Sequence, residues 1–452
     1  MDGGGKTIWK DDEELRGYIG TRLMDIPGID SVYAEKISKK LLKSEFMKRI
    51  FATNKKGGEI FNFTDKIQSI VRIFRDEGLT IKQYLAAALR QPALFCRLPD
   101  TVERNIRNLS DAFKDEGLTV KQYLAAALRQ PALFTQSYGT IEGNIRNLVA
   151  VFKDEGLTVK QYLAAALRQP ALFYQSPDTI KGNIQNLVAA FKDEGLSTKQ
   201  CLAAAIKCPS IFNMLPSTIE GNIRNLAAAF KDEGLTAEQY LAVALKQPSL
   251  FSIPSSTIEG NIRNLVAAFK DEGLTVEQYL NAAIRQPALF YQLLDTIEGN
   301  IRNLVAAFKN EGLTVRQYLA AALKLPSLFC LTPETVASKL NIIIKTRDKG
   351  LVDFKGKSLM DAIVFYPHVP ALSAENLMSR RIALQINYNA TGRASSFSNG
   401  YSSRTNTTKI NEQITDALGE DSAAVHIYRE VFGYMKQVKN TLPSISTQRQ
   451  AA

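Results

Sequence analysis

The side chains that do chemistry in enzymes are scarce in this chain. Its 452 residues include two histidines, His368 and His426, and four cysteines, Cys96, Cys201, Cys208 and Cys330. Two histidines so placed argue against a histidine-centred metal or acid–base site. Cys201 and Cys208 stand seven residues apart on one helical stretch and read as core. The other two occupy one repeat position and complete no zinc pattern. Gly3-Gly4-Gly5-Lys6-Thr7 ends like a phosphate-binding loop, yet it lacks the first glycine and a preceding strand. No catalytic residue, metal or cofactor is expected, and the chain reads as a non-enzyme. The remaining candidate chemistry is ionic. The formal net charge is +11, which favours polyanionic partners.

The cations fall at a fixed spacing. One row, stepping by 39 residues, is Arg90, Arg129, Arg168, Lys207, Lys246, Arg285 and Lys324. Each stands just before a proline, at the end of a helix. The row can be a ladder of phosphate contacts, which supply affinity without sequence information. It can equally satisfy helix dipoles and terminal carbonyls. A second row is Arg107, Arg146, Arg224, Arg263 and Arg302, with Gln68 and Gln185 in the same slot elsewhere. It lies near a recurrent glycine, Gly143, Gly182, Gly221, Gly260 and Gly299. A glycine inside a helix is costly, so close approach of something is expected there: a neighbouring helix, or a phosphate with Asn144, Asn147 and Arg146 as donors.

Sequence discrimination needs positions that vary. The residue after the phenylalanine of Pro-x-Leu/Ile-Phe is Cys96, Thr135, Tyr174, Asn213, Ser252, Tyr291 and Cys330, within otherwise near-identical copies. These types can hydrogen-bond or stack, so the slot is a candidate for reading bases; loop drift is the alternative. A further variable slot, Lys82, Lys121, Lys160, Lys199, Glu238, Glu277 and Arg316, reverses charge partway and reads as a solvated face.

The elements that position these residues follow from the repeat. A glycine recurs at Gly78, Gly117, Gly156, Gly195, Gly234, Gly273 and Gly312, and a proline at Pro92, Pro131, Pro170, Pro209, Pro248, Pro287 and Pro326. Seven copies result, with a degenerate eighth at Lys349-Gly350-Leu351 and Pro367. In the copy around Gly156, residues Ile141, Ile145, Leu148 and Phe152 form one apolar stripe of a first helix. Gly156 ends it in the left-handed conformation. Thr158 and Gln161 form a capping box that opens a second helix. The proline closes that helix, and Ala171-Leu172-Phe173 forms a short 3₁₀ plug.

Neither helix can bury its stripe alone, so copies must stack. The expected fold is all-α, a right-handed or curved α-solenoid of two-helix repeats with short 3₁₀ turns. The expected organisation is an N-terminal helical cap over 1–61, the array over 62–388, a flexible linker over 389–411 and a C-terminal helix and tail over 412–452.

The order helix, helix, short turn, carried by Gly156-Leu157-Thr158 and Pro170-Ala171-Leu172-Phe173, resembles the mitochondrial transcription termination factor (mTERF) family over roughly residues 62–370. The unit here is longer than is usual there and the copies more alike. In array design it is also similar to TAL-effector-like repeats, without their characteristic sequence. Both resemblances imply nucleic-acid binding, chiefly to double-stranded DNA. A third concerns Ile26-Pro27-Gly28-Ile29-Asp30-Ser31-Val32-Tyr33-Ala34-Glu35-Lys36-Ile37, which resembles a helix-hairpin-helix motif and implies phosphate contact at the hairpin, although Asp30 replaces the second glycine. Lys36, Lys39 and Lys40 follow it and are expected to add phosphate contacts.

The favoured expectation is a monomeric, sequence-preferring DNA-binding array with a regulatory role. A protein scaffold with a concave face for a peptide or helix, and a single-stranded RNA binder, are the alternatives. The acids Asp11-Asp12-Glu13-Glu14 speak against a secretory signal or transit peptide, and no apolar run suits a membrane. A cytoplasmic or nucleoid location is expected, with delivery into a host cell left open.

Overall fold

The computed structural model describes residues 11–45, 48 and 63–348. Among them are 17 α-helices, regularly spaced 3₁₀ turns and no strand. The chain divides into two compact units, residues 1–221 and 222–452, with the division inside the helix Pro216–Ala229. The expected linker, the C-terminal helix and most of the degenerate eighth copy lie outside the described residues. Of that copy, the helix Pro333–Asp348 is described.

Unit one opens with a helical pair, Asp12–Met24 and Ser31–Leu41, each capped by an aspartate. Four copies follow. Their first helices are Phe63–Ile73, Pro99–Ala112, Tyr138–Val151 and Pro177–Ala190. Their second helices are Ile81–Arg90, Val120–Arg129, Val159–Arg168 and Thr198–Lys207. Unit two contains the second helices Ala237–Lys246, Val276–Arg285 and Val315–Lys324, and the first helices Ser255–Ala268 and Leu294–Ala307.

The expected stripe is the core. Ile141, Ile145, Leu148 and Phe152 are 2% exposed or less. The helix itself stops at Val151, earlier than the glycine suggested, with Phe152 as its cap residue. The chain then makes one more turn. Leu157 N–H donates to Phe152 O at 3.1 Å across Gly156, whose φ is +88°. This backbone closure consumes carbonyls that the helix end leaves open, and buried Leu157 seals it. Every second helix named above starts with the capping box read from the sequence; Thr158 accepts from Gln161 N–H at 3.2 Å, and the Gln161 side chain accepts from Thr158 N–H at 3.0 Å. Such a cap is worth about 1 kcal/mol.

Tyrosine joins successive copies. The hydroxyl of Tyr162 donates to Leu172 O of its own 3₁₀ turn at 2.9 Å. Its ring meets the edge of Phe212 in the next copy, centroids 5.7 Å apart. The same edge contact links Tyr84 to Phe134, Tyr123 to Phe173, Tyr240 to Phe290 and Tyr279 to Phe329. In these pairs the later copy plugs the one before it; in the fourth copy Cys201 stands where the others have the tyrosine.

The helix-interior glycines depart from expectation. A Cβ built on Gly143, Gly182, Gly221, Gly260 or Gly299 would meet nothing within 4 Å. No neighbouring helix approaches there. By helical geometry each glycine lies opposite the Ile141–Ile145–Leu148 stripe, and each is half-buried.

Candidate nucleic-acid interface

The first basic row sits at the C-terminal ends of the second helices, and its residues are exposed. Four of its arginines reach forward. Arg90 Nη1 donates to Arg129 O at 3.1 Å and Nη2 to Leu128 O. Arg129 bonds Arg168 O and Leu167 O in the same way, Arg168 bonds Lys207 O and Ile206 O, and Arg285 bonds Lys324 O and Leu323 O. Each guanidinium therefore caps the second helix of the next copy. The fork geometry of arginine allows two carbonyls at once, which a lysine point donor cannot match. Lys207 and Lys246 break the pattern and stand exposed at the same position.

The second basic row reaches backward. Arg146 pairs with Glu142 at 2.9 Å, donates to Ala112 O at 3.1 Å and lies over the Phe113 ring at 5.0 Å. Arg107, Arg263 and Arg302 repeat this against Phe74, Phe230 and Phe269, and against the carbonyls of Ile73, Ala229 and Ala268. Arg224 holds the equivalent exposed position. Opposite charge at i−4 and a carbonyl at a helix end take up much of this row's positive charge. Both rows thus join successive copies, a role visible only once residues 34, 38 or 39 positions apart are brought together.

The residues flanking the glycines divide. Asn144 bonds Gln175 O and Asn183 bonds Phe212 O, so that row ties first helices to the following loop. Asn147 is exposed.

The variable slot lies between copies. The Tyr174 hydroxyl accepts from Gln130 Nε2 at 2.7 Å, and Cys330 Sγ accepts from Gln286 Nε2 at 3.7 Å; both glutamines precede the proline of the preceding copy. Thr135 bonds Ala132 O within its own turn at 2.7 Å. The amide oxygen of Asn213 is buried without a partner in the structure. Burial also pushes the Cys96 and Cys330 thiols up from their ordinary values. Ser252 and Tyr291 are the slot residues that stand exposed.

In the hairpin, Gly28 has a φ of +86°, and Ile29 and Asp30 follow it. Glycine, apolar residue and capping side chain stand in the order of the repeats' Gly-Leu-Thr turn, but Ile29 N–H donates to Ile26 O at 3.1 Å, three residues back instead of five. Asp30 accepts from Tyr33 N–H at 2.7 Å, so a carboxylate already occupies the helix N-terminus where a phosphate was expected. The helix Ser31–Leu41 then packs against Ile81–Arg90, as second helices pack on one another. Counted from the turn glycine, Lys40 falls in register with Arg90. Lys36, Lys39 and Lys40 are exposed, and Lys39 pairs with Glu35 at 2.6 Å.

Among the described residues no group of three His, Cys, Asp or Glu side chains could hold a metal, and no helix is long and apolar enough to cross a membrane. A repeated two-helix unit with a 3₁₀ plug, stapled copy to copy and lined with cations, defines a helical repeat protein with an ionic surface. A family model for mTERF matches residues 59–295, and the chain belongs to the mTERF family. That family consists of nucleic-acid-binding helical repeat proteins that are not enzymes. A search of curated proteins finds no match to the chain.

Proposed function

We propose that the array binds double-stranded DNA, with a sequence preference, and serves as a regulator of transcription. The observation that supports duplex binding is the exposed cation at the end of every second helix in unit one, Arg90, Arg129, Arg168 and Lys207, with Lys40 of the hairpin in register. The arginines stay exposed while their guanidinium forks hold carbonyls, and among the described residues they lack the carboxylate partner of the second row, so the row is both a joint and a source of positive potential. A preference among sequences is assigned to the variable slot, chiefly its exposed members Ser252 and Tyr291.

Titration of labelled duplex with the full chain tests the reading. Neutralising about five phosphates, the Arg90 row by itself contributes roughly −4 to −5 to the log–log salt slope. Single-stranded RNA and an unrelated helical peptide serve as competitors. A salt-insensitive association, or stronger binding to the RNA, speaks against it. Selection from randomised duplexes with wild type, Tyr291→Ala and Asn213→Ser side by side tests the preference, since one base contact is worth about 1–3 kcal/mol of discrimination. Identical logos from all three leave the slot no part in the preference.

A further inference from the structure

The second helices of unit one carry a cation at both ends of their exposed face. Lys82, Lys121, Lys160 and Lys199 stand in the first turn, and the Arg90 row stands in the last. Between them the face shows exposed Ala86, Ala125, Ala164 and Ala203. Lys160, Ala164 and Arg168 follow at four-residue steps, which puts them on one side of the helix. The lysines make no hydrogen bond or ion pair with any described residue. No polar contact of theirs ties one copy to the next, in contrast to the arginines. At the same position in unit two stand Glu238 and Glu277, also exposed and unpaired among the described residues, and then Arg316, which is exposed and donates to Glu272 O at 3.4 Å.

We infer that the second-helix face of unit one is a two-rail clamp for the phosphates of duplex DNA, and that Glu238 and Glu277 keep the helices Ala237–Lys246 and Val276–Arg285 from gripping in this way. The inference rests on the DNA-binding reading. Lys160 and Arg168 are eight residues apart, which is about 12 Å along a helix axis. The major groove of B-DNA is also about 12 Å wide, so one rail can meet each strand across it. Successive second helices pack directly, and at about 8–10 Å per helix four of them span some 25–30 Å, somewhat under one helical turn of DNA. The alanines leave nothing long enough to enter the groove between the rails. This face therefore contributes affinity and register, and any base discrimination comes from elsewhere. The charge reversal that made the lysine row look like an indifferent solvated surface becomes a boundary of the grip.

The test replaces the four lysines by alanine, a change that helix propensity favours and that removes no internal polar contact. Circular dichroism and thermal unfolding establish that the variant folds as wild type does. Four lost phosphate contacts flatten the salt slope on duplex DNA by about 3–4, and affinity at low salt falls by two orders of magnitude or more. The pair Glu238→Lys and Glu277→Lys steepens the slope by about 2 if the acids set the boundary. Wild-type binding with an unchanged slope in the quadruple variant overturns the clamp and leaves the DNA reading in place. Equal loss on single-stranded and duplex DNA overturns the two-strand geometry. Failure of the wild-type chain to bind duplex DNA at all removes the reading itself, and the clamp with it.

Discussion

Two glycines of one copy, thirteen residues apart, have opposite consequences when changed to alanine. Gly143 lies inside the helix Tyr138–Val151, and a Cβ there meets nothing within 4 Å. Gly156 also has open space around it, but its φ is +88°. At Gly143 the substitution removes backbone freedom from the unfolded chain and adds no clash, so it stabilises by about 0.5–1 kcal/mol. At Gly156 a side chain pays the left-handed penalty of about 1–2 kcal/mol. Changing Gly143, Gly182, Gly221, Gly260 and Gly299 together sums to roughly 3–4 kcal/mol, because sites that share no partner act additively. Shared between the two units, roughly 2 kcal/mol each, that is a rise in the unfolding midpoint of about 5 °C. Thermal unfolding followed at 222 nm measures it, with Gly156→Ala as the control that falls. A five-fold variant no more stable than wild type would refute the argument, since it would mean that these positions are occupied in the folded state. Salt-dependent duplex binding by the same variant adds a functional readout: unchanged affinity assigns the glycine-bearing side of the first helices no part in the grip.

Other predictions follow from single contacts. Tyr162→Phe removes a buried hydrogen bond to Leu172 O and lowers stability by about 1–2 kcal/mol, whereas the buried Tyr240 hydroxyl has no partner, so Tyr240→Phe shifts the urea midpoint little or upward. Arg168→Lys keeps the charge but loses the fork onto Lys207 O and Ile206 O; stability falls by about 0.5–1 kcal/mol while the salt slope of DNA binding holds, and a parallel fall in that slope contradicts a capping role. Burial raises Tyr84, Tyr123, Tyr162, Tyr240, Tyr279 and Tyr318 above the ordinary phenol value. Their folded values lie above the unfolded ones, so stability is fully present below about pH 10 and is lost as pH climbs past it. Three linked protons in each unit give it a decline of about 4 kcal/mol per pH unit once the unfolded tyrosines ionise, and alkaline titration of the unfolding midpoint should show one proton fewer in each Tyr→Phe variant. Burial also pushes the Cys201 thiol up to about 12, so in the native protein at pH 8 it should resist a thiol reagent that modifies it after unfolding.

Much of the fold was legible in the chain because its cues are local. A glycine that must take positive φ, a threonine with a glutamine three residues on, and a proline that forbids continuation each act within one turn of backbone. Their 39-residue repetition placed the start and end of each second helix, while the first helices stop about one turn before the glycine and their starts were not marked. The apolar stripe Ile141–Ile145–Leu148 needed only the helical period. The meaning of the polar rows was not local. Whether Arg129 faces a phosphate or a carbonyl depends on Leu167 and Arg168, 38 and 39 residues away. Gly143 suggested a close neighbour from its helix position alone, yet packing leaves that side open. The hairpin at Gly28 resembled a phosphate-binding motif, and only its docking on Ile81–Arg90 relates it to the repeats. Local backbone energetics are written in adjacent residues, so the sequence by itself determined the elements and their order. Which charge is spent on a neighbouring copy and which is left for a partner depends on distances between copies, and those the tertiary structure alone decided.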